Sequence, residues 1–190
     1  MSIDDAPRVE VRSRAEWRQW LEKNHERVPG VWLVTWKKHH PDRYLPWGHI
    51  VKEALCFGWV DSRTRRVDDD RTSVYVTHRK KGSPWSALNK GYVEELEADG
   101  LMTPVGRALI ETAREDGSWT FLDDVEALEV PEDLAAALGD RGPARDAWTE
   151  APASVRKRAL YEIKLARTER TRRARIARVV GRCSAGERPA

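Results

Sequence analysis

The sequence predicts an α+β protein, a small antiparallel sheet packed with helices and followed by a helical C-terminal half, and three observations predict it. Short β-branched and aromatic runs separated by turn formers occur only in the first eighty or so residues. From Ser83 onward the apolar residues recur at helical spacing. Pro104, Pro131, Pro143 and Pro152 each stand where a helix can start. A chain of 190 residues, 40% hydrophobic and 34% charged, is long enough to bury a core without disulfides or metal.

Ser13 and Glu16 have capping-box spacing, and Trp17, Trp20 and Leu21 share one helical face behind them, which predicts a helix over residues 14–26. Pro29 and Gly30 break the chain before VWLVTW at residues 31–36, a buried strand. Residues 39–47 form a loop, and Pro46 opens a helix to about Phe57 with Ile50, Val51, Ala54 and Leu55 on its apolar face; Gly58 stops it. Residues 60–67 and 73–79 are two strands of a hairpin joined through the polar turn of Asp68, Asp69, Asp70 and Arg71. Ser83 and Pro84 are expected to cap a helix carrying Trp85, Leu88, Tyr92, Val93 and Leu96, and Thr103 with Pro104 a second that ends near Gly117. Residues 119–129 read as irregular. Helices follow near 131–138, 143–149, 152–166 and 169–180. The expected organisation is an α+β region over 1–126, a helical region over 127–182 of the same compact unit, a weak seam at Gly142 and Pro143, and a frayed tail over 183–190.

No apolar run approaches the ~20 residues of a membrane span, and the first ten residues are acidic and polar, so a bacterial cytoplasmic protein without membrane insertion is expected. Cys56, in a helix, and Cys183, in the expected tail, form no disulfide framework. The net charge of +3 conceals a polarity along the chain. Residues 94–133 carry thirteen acidic side chains against Arg107 and Arg114, and residues 156–182 carry eleven basic ones against Glu162 and Glu169. Mutual neutralisation accounts for both stretches; a basic face for a polyanion is the alternative.

The run EALCFGWVD at residues 53–61 resembles the signature of the YdeI/OmpD-associated, or bacteriocin-protection (OmdA), family. Ser83, Trp85, Ser86 and Asn89 continue the likeness, as do Leu96, Gly100, Met102, Pro104 and Gly106, and finally Ala166, Thr168, Glu169 and residues 171–173. His78 and Pro84 depart from the usual pattern. The resemblance implies an association with protection against bacteriocins and antimicrobial compounds and with an outer-membrane porin, but no reaction.

Read from the residues themselves, the junction at 53–61 is the leading site candidate, because Gly58 permits close backbone approach. On a strand of period two, Trp59, Asp61, Arg63 and Arg65 share a face, an aromatic beside a carboxylate and guanidiniums. Trp85, Ser86 and Asn89 at a helix start are further ligand-binding candidates, and Trp36 and Trp47 belong with Trp17, Trp20 and Trp32 to the rings that could wall a pocket. Glu53 and Cys56, three apart on one helix, together with Asp61 and His78, are the acid/base candidates. His25, His39, His40, His49 and His78 show no zinc spacing, although His39 and His40 share a loop with Asp42; no metal and no cofactor are expected.

Three functions remain open at this point. The first is a protein that binds an antimicrobial small molecule or peptide in a tryptophan-lined pocket. The second is an enzyme that modifies or helps to make such a compound through Asp61, Glu53, Cys56 or His78. The third is a nucleic-acid or partner-binding module using Arg63, Arg65, Arg66 and the C-terminal arginines.

Overall fold

Apolar periodicity becomes burial with few exceptions in the computed structural model, which describes residues 3–140 and 142–190. A 3-10 turn, Ile3–Asp5, precedes strand β1 (Arg8–Glu10) and helix α1 (Arg14–Asn24), after which come β2 (Gly30–Trp36), α2 (Trp47–Cys56), β3 (Trp59–Arg66) and β4 (Arg71–His78). Helices α3 (Ala87–Ala98) and α4 (Pro104–Glu115) follow. Beyond them lie α5 (Asp123–Glu126), α6 (Glu132–Leu138), α7 (Pro143–Glu150), α8 (Ala153–Lys164) and α9 (Glu169–Ser184). The α+β class and the helical second half are as the patterning predicts.

The sheet has the order β1-β2-β4-β3, with β4 antiparallel to both β2 and β3. β2 is buried over nearly its whole length, which is why its sequence lacks the polar alternation of a half-exposed strand. β1 pairs parallel to β2, from Arg8 opposite Trp32 to Glu10 opposite Val34. Three residues, two of them charged, carry no strand signal of their own; only the exposed edge of β2 recruits them.

The expected common face of Trp59, Asp61, Arg63 and Arg65 is interrupted by a bulge. Asp61 pairs with Val76 but Thr64 pairs with Val74, so β3 spends one residue more than β4 over this step. Beyond it the alternation is inverted. Trp59 and Asp61 share the side of Thr64 and Arg66, whereas Arg65 lies over the ring of Trp32 at 4.3 Å on the other side and pairs with Asp4. Arg63 is exposed.

The start of α3 also differs from expectation. Ser86, not Ser83, is the cap: its hydroxyl accepts from the Asn89 N–H at 3.3 Å, while Trp85 is buried just ahead of the helix. Pro84 keeps the chain extended up to that point.

The described residues divide into two compact units, 1–120 and 121–190, rather than at Gly142 and Pro143. The core of the first gathers Trp17, Leu21, Leu33, Ile50, Trp59 and Trp85, and the buried Trp17 indole donates to the Ile50 carbonyl at 3.1 Å. The core of the second gathers Leu134, Trp148, Leu160, Ile163, Ile176 and Val179, so α7, which follows Gly142, belongs to it. The expected start of the tail at residue 183 is corrected: α9 runs on to Ser184 and Cys183 is fully buried, while residues 185–190 lie beyond the helix. Ile176, Val179 and Cys183 repeat at helical spacing, and that apolar stripe carries the helix past residue 180.

Candidate functional site

The segment 53–61 places its side chains in two different environments. On α2, Glu53 and Cys56 point inward together, as their spacing predicts, but what faces them is the outer side of α1. The Glu53 carboxylate, 1% exposed, accepts from Arg14 Nε at 2.5 Å and Arg18 Nη1 at 2.8 Å, while Arg18 Nη2 reaches the Leu101 carbonyl at 3.0 Å. The two guanidiniums neutralise a charge that burial would otherwise penalise heavily. Burial pushes the Cys56 thiol up to about 11, and the Glu53 carboxylate adds to the shift. A thiol held this way is neutral and poorly nucleophilic.

Past Gly58, which takes the left-handed conformation at φ 70°, the chain turns into β3 and meets the end of β4. The Arg79 N–H donates to the Gly58 carbonyl at 2.9 Å, and the Trp59 ring lies 5.0 Å from that of His78. Trp59 is fully buried, with its indole N–H unpartnered. Burial raises the Asp61 carboxyl above its ordinary range, against the attraction of Arg79.

Arg79 is the least expected member of this region. It is only 7% exposed, its guanidinium carbon stands 3.9 Å from the centroid of the Trp85 ring, and Nη2 donates to the Pro84 carbonyl. Its Nε and Nη1 have no partner within the protein. Burial lowers its pKa to about 10, with Asp61 working against the shift, so the side chain is still a cation at neutral pH. It lines a cavity of about 290 Å³ together with His25, Phe57, His78 and Leu109. His25 Nδ1 bonds the Leu21 carbonyl at 2.8 Å, whereas its Nε2 is buried and unpartnered. A strand-ending arginine followed by two lysines reads in sequence as solvated surface. Its burial comes from contacts distant in local pattern, the Trp85 ring among them, so no local signal marked it.

The remaining sequence candidates separate from this cavity. Trp36 and Trp47 come together with Tyr44 and Leu45 around a second cleft of about 270 Å³, where Trp47 is 41% exposed. Trp36 there donates to Glu10 at 3.1 Å and carries Arg43 over its ring at 4.8 Å. Ser86 acts as a helix cap to Asn89, as described above. Of the four acid/base candidates, His78 lines the Arg79 cavity, Asp61 is half-buried beside it, and Glu53 and Cys56 are enclosed in the core.

In the second unit several basic residues meet acidic partners from the same unit. Lys164 pairs with Asp124 at 2.6 Å, Lys157 with Glu126 at 2.6 Å, Arg172 with Asp133 at 2.5 Å, and Arg178 with Glu162.

Comparison with known families divides the chain in a similar way. Residues 9–109, just over half of the chain, match a domain of unknown function (DUF8412). Residues 127–186 match the family described as bacteriocin-protection, YdeI or OmpD-associated. No curated protein and no solved structure matches. The run 53–61 and the residues around Trp85 therefore fall within the first match, and of the motifs that carry the resemblance only that over 166–173 falls within the second.

Proposed function

We propose that the chain, which belongs to the DUF8412 family and matches the bacteriocin-protection, YdeI or OmpD-associated family over residues 127–186, protects by binding an antimicrobial small molecule or peptide through an anionic group held at Arg79. The observation that carries this reading is the buried Arg79 guanidinium, whose Nε and Nη1 have no partner within the protein, on a residue that lines a cavity of about 290 Å³. A desolvated cation is costly unless something completes its hydrogen bonds, and a carboxylate or phosphate matches the guanidinium fork in charge and geometry. Phe57 and Leu109 supply apolar wall for the rest of such a ligand.

The test is a titration of candidate antimicrobials against intrinsic tryptophan fluorescence, with each acidic compound compared with its neutral ester or amide. Trp59 and Trp85 lie beside Arg79 or its neighbour His78 and report occupancy. Arg79→Met keeps the packing on Trp85 and removes the charge; it is expected to weaken binding by roughly 10–100-fold, the worth of a charge-assisted hydrogen bond. Equal affinity for acid and ester, or for wild type and Arg79→Met, would refute the reading. Loss of binding in Trp47→Ala with Arg79→Met unaffected would instead place the ligand in the cleft of Trp36 and Trp47.

A further inference from the structure

We propose that His39, His40 and Asp70 form a binding site for a divalent transition ion of the zinc class, separate from the Arg79 cavity. The two imidazoles stand on the loop that leaves β2, and the carboxylate stands on the turn between β3 and β4. Nε2 of His39 lies 3.1 Å and Nε2 of His40 lies 2.8 Å from the same oxygen of Asp70, and the three potential ligand atoms all fall within 4.8 Å of one another. Ligands held at 2.0–2.1 Å around a tetrahedral ion are separated by about 3.3 Å, so both histidine–aspartate distances need to open only by a few tenths of an ångström.

The two loops are joined independently of these side chains. The Lys37 N–H donates to the Asp70 carbonyl at 2.8 Å, and Lys37 Nζ donates to the carbonyls of Asp68 and Asp69 at 2.9 Å each. The Asp68 carboxylate accepts from the N–H groups of Asp70 and Arg71 at 3.0 and 2.7 Å. The His40 ring is set edge-on against Trp36, with centroids 4.9 Å apart. The ligands are thus brought together by the fold rather than by the ion, which lowers the ordering cost of binding.

Two imidazoles and one carboxylate suit zinc, cobalt, nickel or copper, whereas magnesium and calcium prefer all-oxygen sets. The three side chains are partly exposed, which leaves the other coordination positions to water or to a group on a bound molecule. The ligands come from positions 30 and 31 apart, so no local spacing reveals them, and the loop neighbour Asp42 is not the partner.

Calorimetric titration of the metal-free full chain with Zn²⁺, supported by the visible spectrum of the Co²⁺ form, tests the assignment. One saturable equivalent is expected. Asp70→Asn and His40→Ala are each expected to weaken it at least about tenfold, since loss of even an outer-shell partner costs a metal site 10–100-fold. Asp42→Asn and excess Mg²⁺ are expected to leave it unchanged. These side chains lie outside the core, and circular dichroism would verify that the variants are folded. Absence of saturable binding below millimolar Zn²⁺ overturns the proposal, and so does undiminished affinity in Asp70→Asn, which would reduce the site to a surface histidine pair. Displacement by Mg²⁺ overturns the ion class.

Discussion

Glu53 shows how far a single residue's role depends on what lies opposite it. Its place beside Cys56 was legible from a spacing of three on a helix, but the identity of the facing groups, Arg14 and Arg18 on α1, was not, because no sequence rule pairs residues 35 and 39 apart. Glu53→Ala takes the shared buried carboxylate from Arg14 and Arg18 and leaves Arg18 with the half-exposed Glu22 at 3.3 Å. The arginines are themselves partly exposed, so the expected loss is about 3 kcal/mol, the lower end for breaking a buried pair, seen as a fall in the urea midpoint. A loss below ~0.5 kcal/mol would mean that water already screens the cluster. Cys56 gives a prediction in pH. Its thiol is held at about 11 in the fold, above the ordinary range of about 8.5–9, so between these values the native state keeps a proton that the unfolded chain has released. Stability therefore falls as pH rises from about 9 towards 11, by up to about 2–3 kcal/mol. Urea melts of wild type and Cys56→Ala at pH 8, 9 and 10 isolate the effect: the variant should lack this part of the decline.

Among the elements, those with complete periodicity were legible and those defined by a neighbour were not. α2 and β2 follow directly from Ile50, Val51, Ala54 and Leu55 and from the unbroken apolar run that ends at Trp36. β1 exists only as an addition to the edge of β2. The bulge in β3 could not be read either: Ser62 and Arg63 look like continued alternation, and only the opposing strand shows that one residue is surplus. That surplus is why half of the expected site face went elsewhere. Arg79, read from the sequence only as the last residue of the strand run 73–79, became the centre of the candidate site where it packs over the Trp85 ring. The contact of α4 with α2 is similarly specific. A Cβ at Gly106 would stand 2.9 Å from the Leu55 carbonyl oxygen and 2.7 Å from the Met102 sulfur, and nearer still to the Cys56 carbonyl, which also accepts from the Thr103 hydroxyl. Carbonyls of a helix end cannot move aside without displacing the helix. Gly106→Ala is therefore expected to lower stability by up to about 2 kcal/mol despite its better helix propensity, because overpacking costs about 1–3 kcal/mol against a gain of about 1. A rise in melting temperature would show that α4 is free to move outward.

At the scale of the molecule, the charge polarity along the chain resolves into local pairing. The acidic stretch is shared between the units: Glu95 and Glu97 pair with Lys52 and Arg107 in the first, while Asp124, Glu126 and Asp133 pair with Lys164, Lys157 and Arg172 in the second. Pairing between the acidic and basic stretches is thus seen within the second unit, whereas Glu95 and Glu97 take partners from outside the basic stretch. The same division appears in the cores, and it yields a direct test. Residues 121–190 contain their own apolar cluster and the acid–base pairs that bridge α5 to α8 and α6 to α9. Seventy residues is near the lower limit at which a single core supports folding, so independence is a demanding claim. Trp148 is the one tryptophan in this segment and is 2% exposed, which makes it a private reporter of that core. The excised segment 121–190 is expected to show helical circular dichroism, blue-shifted Trp148 emission and a cooperative thermal transition that coincides by both probes. Emission at the wavelength of free tryptophan, or a non-cooperative melt, would mean that the second core forms only when the first unit is attached. Trp148→Leu in the full chain would then separate the possibilities further: a lowered transition of residues 121–190 without change in the unfolding of residues 1–120 is the signature of two units that fold on their own account.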